Sequence, residues 1–223
     1  MSPPIFRIAE DLPKVIPIFP LESAIVFPRG NLPLNVFEPR YLNMVDDAMY
    51  SNRVIGMIQP FLPDGPGEKP LIENPPLLKI GCLGRINSYS ETDDGRYMIN
   101  LRGMCRFQIV EEQEMTRPYR TATVSYENFL GDMKPVSTKE PDISRENLIS
   151  ALKTYLAANA IKTDWDAVTD APMETLINAL ASGCPFSTIE KQMLLEFPTL
   201  QERGEALISL LHMDASGNGG LLQ

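Results

Sequence analysis

Three observations in the 223-residue sequence predict an α+β fold, with a β-rich first part followed by a helical second part. Fourteen of the 20 prolines fall within residues 1–80. Interior proline is poorly tolerated in helices and central strands, so that region should hold short strands, turns and loops, with at most one short helix. The stretch from Arg96 to about Val110 alternates apolar odd positions with mostly polar even ones, the period of a half-buried strand. After the polar, proline-marked segment from Gly131 to Pro141, the apolar spacing becomes helical.

Taken in order, Val15-Ile16-Pro17-Ile18-Phe19 and Leu32-Pro33-Leu34-Asn35-Val36-Phe37 read as two short strands joined by a loop through Pro28-Arg29-Gly30. Glu38-Pro39-Arg40-Tyr41 then opens a helix, with Pro39 in its first turn, Glu38 near the positive end of its dipole, and Tyr41, Leu42, Val45, Ala48 and Met49 supplying its apolar face. Arg53–Ile58 is a third strand. The stretch from Gln59 to Pro76 holds six prolines and two glycines without periodicity, so it reads as a long loop, and loops of that length are commonly functional. Leu78 to Glu91 and the Arg96 strand should form a long antiparallel hairpin turned by Asp93-Asp94-Gly95, with Gly103 marking a bulge or bend. Alternation through Ala122, Val124 and Tyr126 gives the last strand.

In the second part, a helix starting near Asp142 or Ser144 carries Leu148, Leu152, Tyr155 and Leu156 on one side. Another runs from near Asp170 or Ala171 to Gly183, which reads as its cap. Ser187-Thr188-Ile189-Glu190 and Thr199-Leu200-Gln201-Glu202 have capping-box form and start two more. The divisions read from this pattern are 14–130 and 141–213, with 1–13 and 214–223 as flexible termini.

Composition narrows the function classes. At 43% hydrophobic and 22% charged, the chain has the makings of a packed core, and global disorder is excluded. The formal charge is −9, with 13 basic against 16 acidic residues in 1–127 and 7 against 13 in 128–223. Acidity in both parts argues against nucleic acid and anionic membranes as partners. No apolar run approaches a membrane span, and Met1–Arg7 lacks the pattern of a signal peptide, so a cytoplasmic protein is expected. Cys82, Cys105 and Cys184 are odd in number and widely spaced, which suits reduced thiols.

The residue types that catalysis requires are sparse. Phosphate-loop, dinucleotide-turn and nucleophile-elbow motifs are absent. His212 is the single histidine, and no Cys/His spacing resembles a zinc site, so neither a metal nor another cofactor is expected. Asp164, Asp166 and Asp170 lack the glycine and terminal Glu of a calcium loop and read as helix-start acids near Trp165. Cys105 and Cys184 read as small buried hydrophobes, although a hydrolase pairing either with His212 remains a distinct hypothesis. The even face of the long strand offers Arg96, Arg102 and Arg106, with Arg85 nearby on the partner strand, as a stripe able to bind phosphate or an acidic peptide segment. Met98 and Met104 lie among them.

The order of these segments resembles the Lon protease N-terminal, or substrate-binding, domain family. The resemblance rests on Ile16-Pro17-Ile18-Phe19-Pro20-Leu21 through Ala24-Ile25-Val26-Phe27-Pro28, on Phe37-Glu38-Pro39-Arg40-Tyr41, and on the paired phrases Gly81–Ile86 and Ile99–Phe107. Leu194-Leu195-Glu196-Phe197-Pro198-Thr199-Leu200-Gln201-Glu202-Arg203 is similar to the segment that closes the domain. Together they span about residues 14–212. The resemblance implies a PUA-like β pseudo-barrel followed by a C-terminal helical bundle, in a stand-alone bacterial member without ATPase or peptidase modules. It further implies a non-catalytic protein that binds unfolded or tagged polypeptides, as an adaptor or holdase in protein quality control, with a separate ATP-dependent protease as a further partner. The expected binding surface is the groove between barrel and bundle, with Phe61, Leu62 and Leu71 as apolar contributors and Arg96, Arg102 and Arg106 as polar ones. Glu38, Arg40 and Tyr41 are expected to be structural. RNA binding through the arginine face of the barrel is the alternative.

Overall fold

The computed structural model describes residues 6–22, 24–61, 74–134 and 142–217. These divide into a β-rich unit, 6–61 with 74–134, and a helical unit, 142–217. In the first unit the six strands are β1 (Val15–Pro20), β2 (Asn31–Val36), β3 (Val54–Ile58), β4 (Ile80–Glu91), β5 (Tyr97–Glu112) and β6 (Arg120–Ser125), with helix α1 (Pro39–Tyr50) between β2 and β3. The sheet order is β2-β5-β4-β3-β1-β6, and an added β5–β6 pairing closes β1, β3, β4, β5 and β6 into a ring. All pairings are antiparallel except β1–β3. The 16-residue β5 makes closure possible, because its first half pairs with β2 and its second half with β6 along the same side.

The ring encloses Ile16, Ile18, Val54, Leu83, Cys105, Phe107 and Val124, all at most 4% exposed. At about 1.5–3 kcal/mol for each large apolar side chain fully buried, these residues are the main stabilising term of the barrel. Ala9 and Leu12 join the same core, and the Tyr126 hydroxyl donates to the Pro13 carbonyl at 2.8 Å. Ala9 and Leu12 thus anchor this segment to the barrel, while Arg7, Ile8, Glu10 and Asp11 are exposed. A glycine is required at 81 because a Cβ there would lie 2.4 Å from the Met57 carbonyl oxygen and 2.5 Å from the Phe107 ring.

Helix α1 begins at Pro39, which suits a first-turn position whose N–H has no helical partner. Its buried face is Tyr41, Met44, Val45 and Ala48, with the Tyr41 ring 4.2 Å from that of Phe19 on β1. The Glu38 carboxylate makes no cap bond; it accepts from Arg40 Nε at 3.0 Å, and the Arg40 guanidinium lies 4.6 Å over the Tyr41 ring.

The helical unit contains α2 (Arg145–Ala158), α3 (Trp165–Asp170), α4 (Met173–Gly183), α5 (Thr188–Glu196) and α6 (Leu200–Ala215). Side chains fix most of the starts: Ser144 accepts from Asn147 N, Asp164 from Asp166 N and Ala167 N, and both predicted capping boxes form, at Ser187/Glu190 and Thr199/Glu202. The end of α3 is closed by Arg145, whose Nη2 donates to the carbonyls of Val168, Thr169 and Ala171. Gly183 is the last helical residue of α4 and has no left-handed φ; the cap residue is Cys184, in an extended conformation. Helix α6 packs on α2, α4 and α5 and runs to Ala215, past the expected limit of 213. Its Arg203, 3% exposed, donates to the Leu194 carbonyl and to Asn178 Oδ1, both at 2.9 Å. Gly204 lets α6 approach closely, since a Cβ would meet Ile143 Cδ1 at 2.4 Å.

Candidate functional site

The arginine-bearing strand does not present its three arginines together. Leu83 pairs with Cys105 but the next residue, Gly84, pairs with Gly103, so Met104 is an extra residue in β5. Such an insertion exchanges the faces of the strand beyond it. Before the bulge, odd residues such as Ile99 and Leu101 are buried while Met98 and Arg102 are exposed. Beyond it, Cys105 and Phe107 enter the barrel core, and Arg106 no longer shares a face with Arg102. Gly103 sits at this point because the loop at Phe27 comes close: a Cβ there would lie 2.0 Å from the Phe27 carbonyl oxygen. The Gly103 backbone exchanges hydrogen bonds with Gly30 and Arg29, at 2.9 and 2.8 Å.

Arg106 is a structural residue, in contrast to its expected place on a solvated stripe. It is 4% exposed, and Asp132 accepts from its backbone N at 3.0 Å, its Nε at 2.8 Å and its Nη2 at 2.9 Å. The carboxylate stands where the edge of β5 away from β4 has no strand partner, between the end of the β2 pairing at Arg102 and the start of the β6 pairing at Gln108. The Arg106 guanidinium also lies 4.6 Å over the Phe129 ring. A fully buried guanidinium requires this compensation, because isolated charge is costly to desolvate.

Arg96 is exposed at the hairpin tip and paired with Asp94 at 2.5 Å. Hydrogen bonds from Arg96 and from the Thr92 hydroxyl hold the Asp94 carboxyl down at about 2. Gly95, at φ 77°, makes the turn possible. Phe61 is 57% exposed, whereas Leu62 and Leu71 lie outside the described residues.

The structure does join Arg102 to Arg85. They are direct cross-strand partners, with Asn31 opposite Arg102 on β2. Arg102 is exposed and has no hydrogen-bond or ion-pair partner among the described residues, while Arg85 is half-buried with its guanidinium 5.8 Å over the Phe6 ring. Beside them Asn100 Nδ2 donates to Asn31 Oδ1 at 3.2 Å and to Asn87 Oδ1 at 2.7 Å. Met98, 44% exposed, continues this face, flanked by Asn35 and Ser90. Met104, in contrast, packs against the barrel core. The resulting surface is an open sheet face with two facing cations, a row of amides and one flexible apolar side chain. Two like charges placed directly opposite destabilise a sheet, so an anionic group bound between them would relieve a built-in cost. The sequence identified Arg85 as a neighbour; Asn31, Asn87 and Asn100 were missed, and only strand register could have revealed them.

The thiols carry no sign of nucleophile activation. Burial pushes Cys105 up to about 12 and Cys184 up to about 11, the direction opposite to that of a reactive thiolate. His212 is exposed in the last turns of α6. Among the described residues, no three or more His, Cys, Asp or Glu residues are grouped to hold a metal ion, and no helix is long and apolar enough to cross a membrane.

Comparison with known proteins converges on one family. Residues 15–213 match the family model described as the ATP-dependent protease La (LON) substrate-binding domain. The Lon protease of Flavobacterium johnsoniae is 28% identical over 215 residues, covering 92% of this chain and 24% of that protein. The Lon protease of Parabacteroides distasonis is 28% identical over 217 residues, with 92% and 24% covered. The chain thus spans about a quarter of the length of the curated relatives it matches. Among solved structures, a Lon N-terminal domain protein from Xanthomonas campestris superposes with a TM-score of 0.60 at 22% identity, covering 87% of this chain and 97% of that one. The N-terminal domain of a Mycobacterium avium complex Lon protease gives 0.59 at 18% identity, with 89% and 98% covered. With an α+β architecture shared with these neighbours and nearly its whole length matched, the chain belongs to the Lon substrate-binding domain family.

Proposed function

We propose that this protein binds polypeptides without catalysing their cleavage, and that the open face of β2, β5 and β4 around Arg102 and Arg85 is the contact surface. The family supports polypeptide substrates in a protease system. The observation that carries the placement is the direct cross-strand pairing of Arg85 with Arg102, the latter without a hydrogen-bond or ion-pair partner among the described residues, on a chain of net charge −9. An extended polypeptide crossing this face would set an acidic side chain or its terminal carboxylate between the guanidinium groups. Its backbone would then meet the amides of Asn31 and Asn100, and one apolar side chain would rest on Met98, whose flexible thioether suits varied sequences. Of the residues expected from the sequence, Arg102 is central; Phe61, bonded to Pro76 ahead of β4, and the buried Arg106 are not part of this face. An adaptor or holdase role in quality control, delivering clients to a separate ATP-dependent protease, extends the same reading.

The test is fluorescence anisotropy with a labelled, permanently unfolded acidic polypeptide at low and physiological salt. Wild type should bind saturably, and Arg85→Glu with Arg102→Glu should weaken binding at least about tenfold, while Asp94→Ala at the hairpin tip changes nothing. Absence of saturable binding to any unfolded polypeptide would sink the reading. RNA binding is the competing reading, favoured by the same facing arginines and opposed by the net charge. Retention on an RNA matrix, with steep loss as salt rises, would select it instead.

A further inference from the structure

Strand β2 is joined to the sheet along one edge, with β5 as its one strand partner. Just before it, the Gly30 carbonyl accepts from the Gly103 N–H, so by alternation Leu32, Leu34 and Val36 aim their backbone groups at β5. Asn31, Pro33 and Asn35 aim theirs the other way. Pro33 fits that parity, since proline lacks an N–H and sits where that side of a strand faces solvent. All three residues are exposed, and their outward N–H and carbonyl groups have no hydrogen-bond partner among the described residues. The edge thus offers donors at Asn31 and Asn35, and acceptors at Asn31, Pro33 and Asn35. The two faces of β2 differ in chemistry. Asn31, Pro33 and Asn35 carry their side chains on the open face beside Arg102, whereas Leu32, Leu34 and Val36 line the opposite one, with Leu32 partly exposed.

We propose that β2 takes up an added strand, an extended antiparallel segment of a client polypeptide in which acidic and apolar residues alternate. Client residues opposite Asn31, Pro33 and Asn35 hydrogen-bond to the edge through their main chain and turn their carboxylates toward Arg102. Neighbouring strands lie about 4.8 Å apart, so the added strand is about 10 Å from β5, a gap that an arginine and a glutamate side chain span over Asn31. The alternate residues extend the apolar face beside Leu32. A second copy of β2 is a poor occupant. Aligned antiparallel about its centre, it sets Pro33 against Pro33 and loses both hydrogen bonds of that pair, and β2 has no acidic residue to offer Arg102. In strand addition main-chain bonds supply affinity and alternate side chains supply selectivity. The inference rests on the polypeptide-binding reading and adds a main-chain contact to it.

The probe is a labelled nine-residue peptide of alternating glutamate and valine, titrated into the full chain by fluorescence anisotropy. It should bind saturably. Methylating its glutamate nitrogens, which face β2, should weaken binding at least about tenfold, whereas methylating its valine nitrogens should cost less than about threefold. Saturating peptide should slow hydrogen exchange of the Asn31 and Asn35 amides at least about tenfold. Asn35→Pro removes one outward donor and should weaken binding about threefold to tenfold. Should that variant fail to fold, the methylated peptides and the exchange rates decide on wild type. If neither the peptide nor a permanently unfolded acidic polypeptide binds, the polypeptide reading falls and this inference with it. The edge contact alone is overturned if the unfolded polypeptide binds while the peptide does not, while the two methylated peptides bind alike or in reverse order, or while both amides exchange unchanged. Protection of the same two amides in a concentration-dependent dimer without peptide would assign the edge to a second copy and overturn it too.

Discussion

Replacing Asp132 by alanine should be among the most damaging single changes in the β-rich unit. The side chain accepts from three N–H groups of Arg106, and the two residues are 9% and 4% exposed. Removing one partner of a buried ion pair costs about 3–5 kcal/mol, because the remaining charge stays desolvated. With a urea m-value of about 2 kcal/mol/M, the midpoint should fall by about 1.5–2.5 M. Amide hydrogen exchange of β4 and β5 is the appropriate reporter, since the single tryptophan, Trp165, lies in the helical unit. A companion variant with Arg106→Met and Asp132→Leu removes both charges. It should recover much of the loss and retain a cost of about 1–3 kcal/mol for the Arg106 backbone N–H, which still lacks an acceptor. An Asp132→Ala cost below about 1 kcal/mol would refute this account of the buried pair.

Three further outcomes are expected. Thr199→Ala and Ser187→Ala, which each remove a capping box, should lower the stability of the helical unit by about 0.5–2 kcal/mol apiece, read by thermal unfolding. Gly103→Ala places a Cβ 2.0 Å from the Phe27 carbonyl oxygen, so the backbone must move; a loss of about 1–3 kcal/mol in urea unfolding is expected. The Asp94 carboxyl should titrate at about 2 by NMR and return toward 3.8 in Arg96→Ala. Because its folded value is depressed, the tip contact contributes fully above about pH 4 and is lost as pH falls toward about 2.

Local signals in the sequence were faithful where local interactions decide the structure. Both capping boxes form, Asp93-Asp94-Gly95 turns the β4–β5 hairpin, and the six strands lie where alternation and proline put them. The candidate site was less legible because its geometry depends on register. Gly103 correctly marked a bend, but the reversal at Met104 follows from Leu83 pairing with Cys105 on another strand. An alternation read straight through the bulge therefore groups Arg106 with Arg102. The burial of Arg106 depends on a carboxylate 26 positions away, which no periodicity encodes. The short helix Trp165–Asp170 left only its acidic cap as a signal.

The barrel's closure also constrains how the chain matures. Val15 pairs with Thr123 and Ile18 with Arg120, so the first strand lies beside one that leaves the ribosome more than a hundred residues later. Until then β1 has β3 as its one strand partner, and Ile16 and Ile18 lack the cover of Ala122 and Val124. Such long-range pairing is slow and leaves apolar strands exposed during synthesis, whereas the helical unit is built from contacts among neighbouring helices and can form quickly. A nascent chain of this protein thus passes through a stage in which it is itself an unfolded polypeptide with bare apolar strands, the same kind of molecule that its finished form is proposed to bind.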